Sequence, residues 1–480
     1  MIALSLAEIA EITGGRVAGG DPAVLVTGPV EYDSRKIVPG GLFVAFAGEK
    51  VDGHDYAGVA IEKGAAAVLG SRDTGVPGVV VEDPLAALAA LARVVAARLD
   101  KLTVVGLTGS SGKTTTKDYI GQLLSRLGPT VAPAGSLNNE LGFPYTVLQA
   151  TEQTRFLVLE MGARGIGHIR YLTEIAQPSI GVVLNVGAAH IGEFGSVEGT
   201  AQAKGELVEA LPASGTAILN ADDPLVAGMA ARTSARVVLV GSTGALTASE
   251  VVVDASGRAS YTLTSGTDSG TVRLSVAGEH QVANTLAAAA VALAAGMEFG
   301  ELVTALGEVG IVSGRRMDVF TCTDGVVVID DSYNANPSST SAALRALASM
   351  GTGKRTTAVL GYMAELGEFE VSGHAEVGRL AAELGVDRLI AVAEAARPIL
   401  DGAAGVAGWR GTGHFAADQA AAIEILQQDR RADDVVLVKG SRYRTWDVAD
   451  WLRPGARSER SEPRSHGQAS SVPLEEVQPT

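Results

Sequence analysis

Apolar runs that end in glycine or in a polar residue recur along the chain, and segments compatible with helices follow them. From residue 101 onward this pattern predicts four β-strands, at Leu102–Val105, Phe156–Glu160, Ile180–Asn185 and Ala217–Asn220. Strands that alternate with helices in this way are typical of a parallel sheet whose crossovers are helical. The central part of the chain is therefore predicted to be an α/β domain.

A second series of the same kind begins after residue 313, with predicted strands at Val326–Asp330, Thr356–Leu360, Arg388–Val392 and Val435–Val438. Four such strand–helix units predict an open, Rossmann-like sheet of the nucleotide-binding kind. Between the two series, residues 241–278 are rich in Ser, Thr and Gly and predict β-hairpins, and the Ala-rich run His280–Ala295 predicts a long helix.

The first hundred residues mix short strands, such as Gly41–Ala47, with helices, such as residues 83–99, and predict a small α/β domain. A chain of 480 residues with 46% hydrophobic content is too long for one core, which favours several domains. The predicted fold class is α/β with three domains, and the predicted boundaries are 1–100, 101–313 and 314–452. Residues 453–480 contain few apolar side chains and predict a disordered tail.

The charge balance limits the possible partners. Thirty-eight basic and 54 acidic residues give a net charge of −16, so no global basic field would collect nucleic acid or anionic lipid. The single cysteine, Cys322, excludes an intrachain disulfide and fits a reducing compartment. Glu8 and Glu11 lie where a signal peptide would be uncharged, and the longest apolar stretches are shorter than a membrane span. A cytoplasmic protein without membrane insertion is expected.

The segment Thr103–Thr116 carries the strongest chemical signal. A strand breaks there into Gly109-Ser-Ser-Gly112, and a helix that starts at Lys113 follows. Backbone N–H groups of a Gly-rich turn, the positive end of the helix and the mobile charge of Lys113 together form a cradle for phosphate. Thr114 can place its hydroxyl on the Mg²⁺ that accompanies a nucleoside triphosphate.

Two more strand ends carry side chains suited to the same site, because ligands of open α/β sheets bind beyond the carboxyl ends of the strands. Glu160 ends one apolar strand and fits a carboxylate that holds Mg²⁺ directly or through water. His190 lies beyond the next strand, although Mg²⁺ rarely selects imidazole. A solvated turn glutamate and a structural histidine are the alternatives. By its spacing alone, Lys204 is a surface lysine of a helix.

Motifs spread in order over residues 30–450 together resemble those of the Mur ligases of peptidoglycan synthesis. They are Thr108-Gly-Ser-Ser-Gly-Lys-Thr-Thr-Thr116, Asn138-Asn139 with Gly142 and Pro144, Glu160-Met-Gly, Asn185-Val-Gly-Ala-Ala-His190, Ala203-Lys-Gly-Glu206, Ser313-Gly-Arg315 and Val438-Lys-Gly-Ser-Arg442. Within the family, Asp330-Asp-Ser-Tyr-Asn-Ala-Asn-Pro337 and Met363-Ala-Glu-Leu-Gly367 resemble the member that joins D-alanyl-D-alanine to UDP-N-acetylmuramoyl-tripeptide (UDP-MurNAc-tripeptide).

The resemblance implies a role for each matching residue. ATP would be bound by Gly109, Ser110, Ser111, Gly112, Lys113, Thr114, Thr115, Asn284, Arg315, Asp330 and Asp331. Mg²⁺ would be held at Thr114, Glu160, His190 and a carbamylated Lys204, and Lys113, Glu160, His190 and Lys204 would be catalytic. The UDP-linked tripeptide and the dipeptide would be bound by Ser34, Arg35, Asn138, Asn139, Arg164, Tyr333, Asn334 and Asn336. A monomer with these two small-molecule substrates is implied.

The implied reaction activates the tripeptide carboxylate as an acyl phosphate, at the expense of ATP, for attack by the dipeptide amine. Two positions depart from the family pattern: Gln281 stands where asparagine is usual, and Tyr362 stands where an acid is expected. If that acid normally orients the amine or the closing domain, Tyr362 must do so differently or not at all.

Rival interpretations remain open. Folylpolyglutamate synthase and the ligase that adds the third stem residue share the central domain, but the Asp-Asn-Pro-Arg string associated with diaminopimelate selection is absent. A P-loop GTPase would need an Asn-Lys-x-Asp string, which is also absent. A nucleotide-binding scaffold without activity is the remaining alternative.

Overall fold

The computed structural model describes residues 1–48, 51–133, 135–187 and 196–454. Within these residues the strands form a five-stranded, a nine-stranded and a six-stranded sheet, together with one two-stranded ribbon. The three large sheets follow one another along the chain, and each is packed with its own helices.

The N-terminal sheet has the order β2-β7-β6-β5-β4, in which only β2 runs antiparallel to its neighbour. Its elements are β1 (Leu4–Ser5), α1 (Leu6–Thr13), β2 (Arg16–Ala18), β3 (Leu25–Val26), β4 (Val30–Glu31), β5 (Leu42–Val44), α2 (Ala57–Glu62), β6 (Ala67–Gly70), β7 (Gly78–Val80) and α3 (Pro84–Arg98). Helix α1 starts with a capping box, in which Ser5 and Glu8 satisfy each other's backbone N–H groups.

The central sheet has the order β16-β15-β14-β13-β12-β11-β8-β10-β9. Its elements are β8 (Thr103–Thr108), α4 (Lys113–Ser125), β9 (Thr130–Val131), α5 (Gly142–Val147), β10 (Phe156–Glu160), α6 (His168–Ile175), β11 (Ile180–Val183), α7 (Val197–Glu209), β12 (Thr216–Asn220), α8 (Pro224–Ala227), β13 (Arg236–Gly241), β14 (Leu246–Val253), β15 (Arg258–Ser265), β16 (Asp268–Ala277), α9 (Gln281–Ala294) and α10 (Phe299–Glu308).

The six neighbouring strands β9, β10, β8, β11, β12 and β13 of the central sheet run parallel to one another, which confirms the parallel sheet predicted for this part of the chain. The predicted hairpins are the antiparallel strands β14, β15 and β16, and the predicted Ala-rich helix is α9. Small side chains let α9 lie close against helix α4, with Ala287–Ala290 buried between them and the sheet. Strand β13 was not predicted.

The C-terminal sheet has the order β17-β18-β22-β19-β20-β21, with only β17 antiparallel. Its elements are β17 (Asp318–Thr321), β18 (Val327–Asp330), α11 (Pro337–Met350), β19 (Thr356–Gly361), α12 (Glu370–Glu383), β20 (Arg388–Val392), α13 (Pro398–Ala404), β21 (Thr412–Ala416), α14 (Gln419–Gln428), β22 (Val435–Lys439) and α15 (Trp446–Leu452). The four predicted strands are present as β18, β19, β20 and β22.

The start of the predicted tail takes part in this sheet's packing. The Arg453 guanidinium donates to Asp318 at 2.6 Å and to the buried Asp330 at 2.7 Å. Residues 455–480, the remainder of the tail, lie outside the described residues.

Candidate active site

The loop between β8 and α4 has the geometry that the phosphate cradle requires. Gly112 has a φ of +79°, and a Cβ at this position would lie 2.5 Å from Asn284 Oδ1, so only glycine fits. Lys113 opens helix α4, and its Nζ donates to the carbonyl oxygen of Gly109 at 2.7 Å across the loop. Thr115 lies in the first turn of the same helix. The loop is thus folded around Lys113.

The segment after β11 holds this loop from the side. Asn185 Oδ1 accepts from the Ser111 N–H at 2.9 Å, and Asn185 Nδ2 donates to the Ser111 carbonyl oxygen at 3.2 Å. Ser110 Oγ accepts from the Gly187 N–H at 2.8 Å. Strand β11 ends at Val183, two residues before the predicted end, although the backbone of Leu184 and Asn185 still bonds Thr108 and Ser110.

Glu160 is buried at the end of β10, directly beside the start of helix α4. Its Oε2 accepts from Thr114 Oγ1 at 2.7 Å, and its Oε1 accepts from Ser136 Oγ at 2.8 Å and Asn138 Nδ2 at 2.7 Å. Burial raises the pKa of this carboxyl, but Lys113, Arg316 and the hydroxyl donors outweigh burial and hold the pKa below its usual value. Glu160 is therefore a carboxylate at neutral pH.

The paired oxygens of Thr114 and Glu160 suit a hard cation such as Mg²⁺. Among the described residues, no group of three or more His, Cys, Asp or Glu side chains could hold a metal. Proteins usually hold Mg²⁺ through one or two carboxylates together with substrate phosphates. His190, the other predicted metal residue, lies outside the described residues.

Lys204 is a buried residue of helix α7, with a relative exposure of 3%, and is not the surface lysine that spacing alone indicates. Burial, and secondarily the charge of Lys113, lowers the pKa of its ammonium well below the usual value. Two residues further on, buried Glu206 accepts from the N–H groups of Gly167 at 2.5 Å and Arg170 at 3.0 Å, and so caps helix α6.

Three residues predicted to bind ATP, Arg315, Asp330 and Asp331, bond other residues of the C-terminal domain. Asp330 is fully buried and accepts from Ser332 Oγ at 2.6 Å, and Asp331 pairs with Lys439 at 2.5 Å. The Arg315 guanidinium donates to Asp450 at 2.8 Å and lies over the Trp446 ring.

Arg316, which is not among the predicted site residues, lies close enough to Lys113 and Glu160 for its charge to influence the pKa of both. Its guanidinium lies 4.2 Å from the Tyr333 ring centroid, and its Nε is buried without a hydrogen-bond partner among the described residues. Burial and then Arg316 lower the pKa of Lys113, while Glu160 and Glu365 oppose this effect. The adjacent Arg-Arg pair in the sequence was the available signal, and it gave no reason to prefer the second arginine.

Asn336 links the two halves of the site. Its Oδ1 caps helix α11 by accepting from the Ser339 N–H at 2.8 Å, and its Nδ2 donates to the Ser110 carbonyl oxygen at 3.4 Å. The Asn334 carbonyl oxygen accepts from Lys439 Nζ at 2.8 Å. The Tyr333, Asn334 and Asn336 segment therefore runs beside the phosphate loop.

The predicted uridine-nucleotide residues lie on the N-terminal domain. Arg35 is exposed, and its guanidinium bonds both oxygens of Asp33, at 2.8 and 2.7 Å, with half-buried Ser34 between them. Asn139 Oδ1 accepts from the Gly142 N–H at 2.8 Å and starts helix α5, while Arg164 is exposed.

The two departures from the family pattern both have local explanations. Gln281 Oε1 accepts from Asn284 Nδ2 at 2.8 Å and from the Tyr119 hydroxyl at 3.1 Å, so Gln281 fixes the orientation of Asn284. The Tyr362 hydroxyl donates to Glu370 Oε2 at 3.1 Å, and its ring stacks on His374. A carboxylate is thus present next to position 362, supplied by helix α12.

A parallel sheet with a phosphate loop, followed by a second nucleotide-binding-like sheet that faces this loop, defines a class of ATP-dependent ligases. The chain matches the models for the Mur ligase family catalytic domain at residues 29–100, the Mur ligase middle domain at 107–292 and the Mur ligase glutamate ligase domain at 315–442. The chain belongs to the Mur ligase family.

Curated relatives share one name. A protein of Mycobacterium tuberculosis, UDP-N-acetylmuramoyl-tripeptide–D-alanyl-D-alanine ligase, is 49% identical over 488 residues, covering 92% of this chain and 96% of the relative. The Escherichia coli protein of the same name is 37% identical over 450 residues, with the same coverage of each chain.

Solved structures support the architecture. The crystal structure of MurF from Acinetobacter baumannii aligns with a TM-score of 0.83 and 32% identity, covering 94% of this chain and 99% of that chain. MurF ligase from Thermotoga maritima, in complex with ADP, aligns with a TM-score of 0.75 and 29% identity, covering 88% and 97%. The predicted three-domain α/β architecture is confirmed. No helix in the described part of the chain has the length and apolar character needed to cross a membrane.

Proposed function

We propose that this chain is the cytoplasmic, ATP-dependent ligase that joins D-alanyl-D-alanine to UDP-MurNAc-tripeptide in peptidoglycan precursor synthesis. The observation that carries the proposal is the meeting of Lys113, Thr114 and Glu160 at the phosphate loop, opposite Arg316 of the C-terminal domain. The relatives that share most of the chain are named for this reaction.

The reaction begins when an oxygen of the terminal tripeptide carboxylate attacks the γ-phosphorus of ATP, which breaks the bond to ADP. Lys113, Arg316 and the loop N–H groups would stabilise the negative charge that develops on the transferred phosphoryl group, and the position of Lys113 across the phosphate loop supports this role. The dipeptide amine then attacks the carbonyl carbon of the acyl phosphate. Phosphate leaves, the amine gives up a proton, and the amide bond remains.

Mg²⁺ would be held by Thr114 and Glu160, with His190 and a carbamylated Lys204 nearby. When bound, it neutralises phosphate charge. The carbamate of Lys204 would form by reaction of its neutral amine with CO₂, and the lowered pKa makes that neutral amine available. The remaining residues of the predicted ATP and substrate sites keep the roles that the family resemblance implies.

The proposal is tested by phosphate release from ATP with UDP-MurNAc-tripeptide and either D-alanyl-D-alanine or free amino acids. We expect phosphate to be released only when the dipeptide is present, with one phosphate released for each amide bond formed. Release that depends on a single amino acid would instead identify the ligase that adds the third stem residue, and release with neither would exclude both.

The Tyr362–Glu370 pair is expected to act on the dipeptide amine, since it lies at the position where the family has an acid. Tyr362→Phe keeps the ring on His374 but loses the hydroxyl that bonds Glu370. Loss of about 1 kcal/mol predicts that the KM for the dipeptide rises about five-fold, with the KM for ATP unchanged. Steady-state kinetics with Glu370→Gln, which removes the charge, should show a larger change in the same constant. An unchanged KM for the dipeptide in both variants would show that Tyr362 and Glu370 do not act on the dipeptide amine.

Closure of the C-terminal domain is expected when ATP and UDP-MurNAc-tripeptide bind together, because an acyl phosphate must be kept from water. We expect residues from 314 onward to close over the phosphate loop beyond the contact that Asn336 already makes with Ser110, and small-angle X-ray scattering to record a smaller radius of gyration. The same dimensions with and without both ligands would contradict this expectation.

A further inference from the structure

Residues 310–313 form the linker between the central and C-terminal domains, and they bond one face of helix α4. Gln122 bonds Gly310 twice: its Nε2 donates to the Gly310 carbonyl oxygen at 3.0 Å, and its Oε1 accepts from the Gly310 N–H at 2.9 Å. One turn earlier on the helix, Asp118 Oδ2 accepts from the Ser313 N–H at 2.9 Å. The helix that begins at the phosphate loop therefore also anchors the linker.

Helix α4 also holds the loop whose residues Ser136 and Asn138 donate hydrogen bonds to Glu160. Lys117 Nζ donates to the carbonyl oxygen of Gly135 at 3.0 Å and to that of Pro133, and it pairs with Asp118 at 2.9 Å. Lys117 and Asp118 are 2% and 5% exposed. Removing two charges from water is costly unless the geometry is well defined, so this pair fixes a specific arrangement of loop, helix and linker.

Ser313 connects the two attachments. Its N–H bonds Asp118 on the helix, and its Oγ accepts from the Gly135 N–H at 2.9 Å. The next residue after Gly135 is Ser136, whose hydroxyl donates to Glu160. Two hydrogen bonds, joined by the peptide bond between Gly135 and Ser136, thus lead from the linker to the carboxylate of the proposed metal site.

On its other side, Ser313 leads directly into the C-terminal domain. Arg315 and Met317 have φ angles of +60° and +50°, which side chains other than glycine adopt only at a cost. Arg316 lies between them, and its charge influences the pKa of both Lys113 and Glu160. The backbone conformation after Ser313 therefore sets where Arg316 lies.

We propose that Ser313 is a positioning residue that couples the orientation of Glu160 to the position of the C-terminal domain. The inference rests on the proposed function and deepens it. When the linker has the conformation described above, the Ser313 hydroxyl accepts from the Gly135 N–H, and the fixed position of Gly135 lets Ser136 donate to Glu160. ATP with Mg²⁺ and the linker conformation then favour each other, since a coupling between two sites is reciprocal.

The test compares Ser313→Ala with two controls. Ser313→Ala removes the acceptor for the Gly135 N–H and keeps the backbone bond to Asp118. Ser179→Ala removes a hydroxyl that donates to the Val104 carbonyl oxygen at 3.3 Å, away from the loop. Gln122→Ala releases Gly310 and leaves Ser313 in place.

Two measurements are made on each full-length variant. The first is hydrogen exchange of residues 135–139 without ligand, and the second is calorimetric binding of a non-hydrolysable ATP analogue over a range of Mg²⁺ concentrations. For Ser313→Ala we expect faster exchange in this loop and a three- to ten-fold higher Mg²⁺ concentration for half-maximal binding. Both controls should resemble the unchanged protein.

Wild-type Mg²⁺ dependence in Ser313→Ala would overturn the coupling, and so would an equal change in Gln122→Ala, which would attribute the effect to linker anchorage in general. Failure of the unchanged protein to bind the analogue with Mg²⁺ would contradict the proposed function instead.

Discussion

Replacement of Lys204 by alanine is expected to lower kcat at least 100-fold while the fold stays intact. Lys204 is buried beside the phosphate loop, where Lys113 and burial both oppose a positive charge on it. As the proposed carbamate it would be an anionic ligand near the proposed metal, and removal of one preorganised electrostatic group at a reacting centre typically costs about 10²–10³ in rate. Steady-state kinetics measures the loss of kcat, and circular dichroism on the same preparation shows whether the fold is intact.

Chemical rescue separates a carbamate from a lysine that only packs. If the carbamate is present, a short carboxylic acid such as acetate can supply an anionic oxygen in its place, so we expect it to restore part of the activity of Lys204→Ala. Lys101→Ala, which removes an exposed lysine of the same domain, should keep full activity and show no response to acetate. Full activity of Lys204→Ala would remove this residue from the site.

Replacement of Glu160 by glutamine is expected to have an effect of similar size. Glutamine keeps one oxygen, which can accept from Asn138 or from Thr114 but not from both, because the two donate to different oxygens of Glu160. The negative charge that interacts with Lys113 and the proposed Mg²⁺ is lost. We expect kcat to fall at least 100-fold and the Mg²⁺ requirement to increase, as measured by turnover over a range of Mg²⁺ concentrations.

The control for this substitution is Glu308→Gln, which neutralises a carboxylate paired with Arg126 on the surface of the central domain. Its kinetics should match those of the unchanged protein, because exposed ion pairs contribute little. Normal Mg²⁺ dependence in Glu160→Gln would mean that the carboxylate has no part in holding the metal.

The strands that build the site were predictable because they are buried on both faces. Strand β10 runs over the same residues, Phe156–Glu160, in the sequence pattern and in the structure, and β20 likewise matches Arg388–Val392. Strand β21, Thr412–Ala416, was missed because it is an edge strand with mostly exposed or half-exposed side chains, which leaves no apolar run. A strand that is buried on both faces has a continuous run of apolar residues that can be recognised in the sequence, and an edge strand does not.

The phosphate loop and Glu160 could also be predicted, since adjacent motifs place them at neighbouring strand ends. Which of two consecutive arginines faces the loop could not be predicted, because that depends on the left-handed backbone at Arg315. The burial of Lys204 and the contact of Glu370 with Tyr362, eight residues earlier, depend on how their segments pack in three dimensions, which the local sequence pattern does not show. The predicted roles of Ser34, Arg35 and Arg164 stay predictions.

A crystal structure with a non-hydrolysable ATP analogue and Mg²⁺ tests the central claim most directly. The account predicts the triphosphate in the loop at Lys113, with the metal on Thr114 and Glu160, and with Lys204 and Arg316 close to the terminal phosphate. A terminal phosphate that lies far from both Glu160 and Lys204 would contradict it.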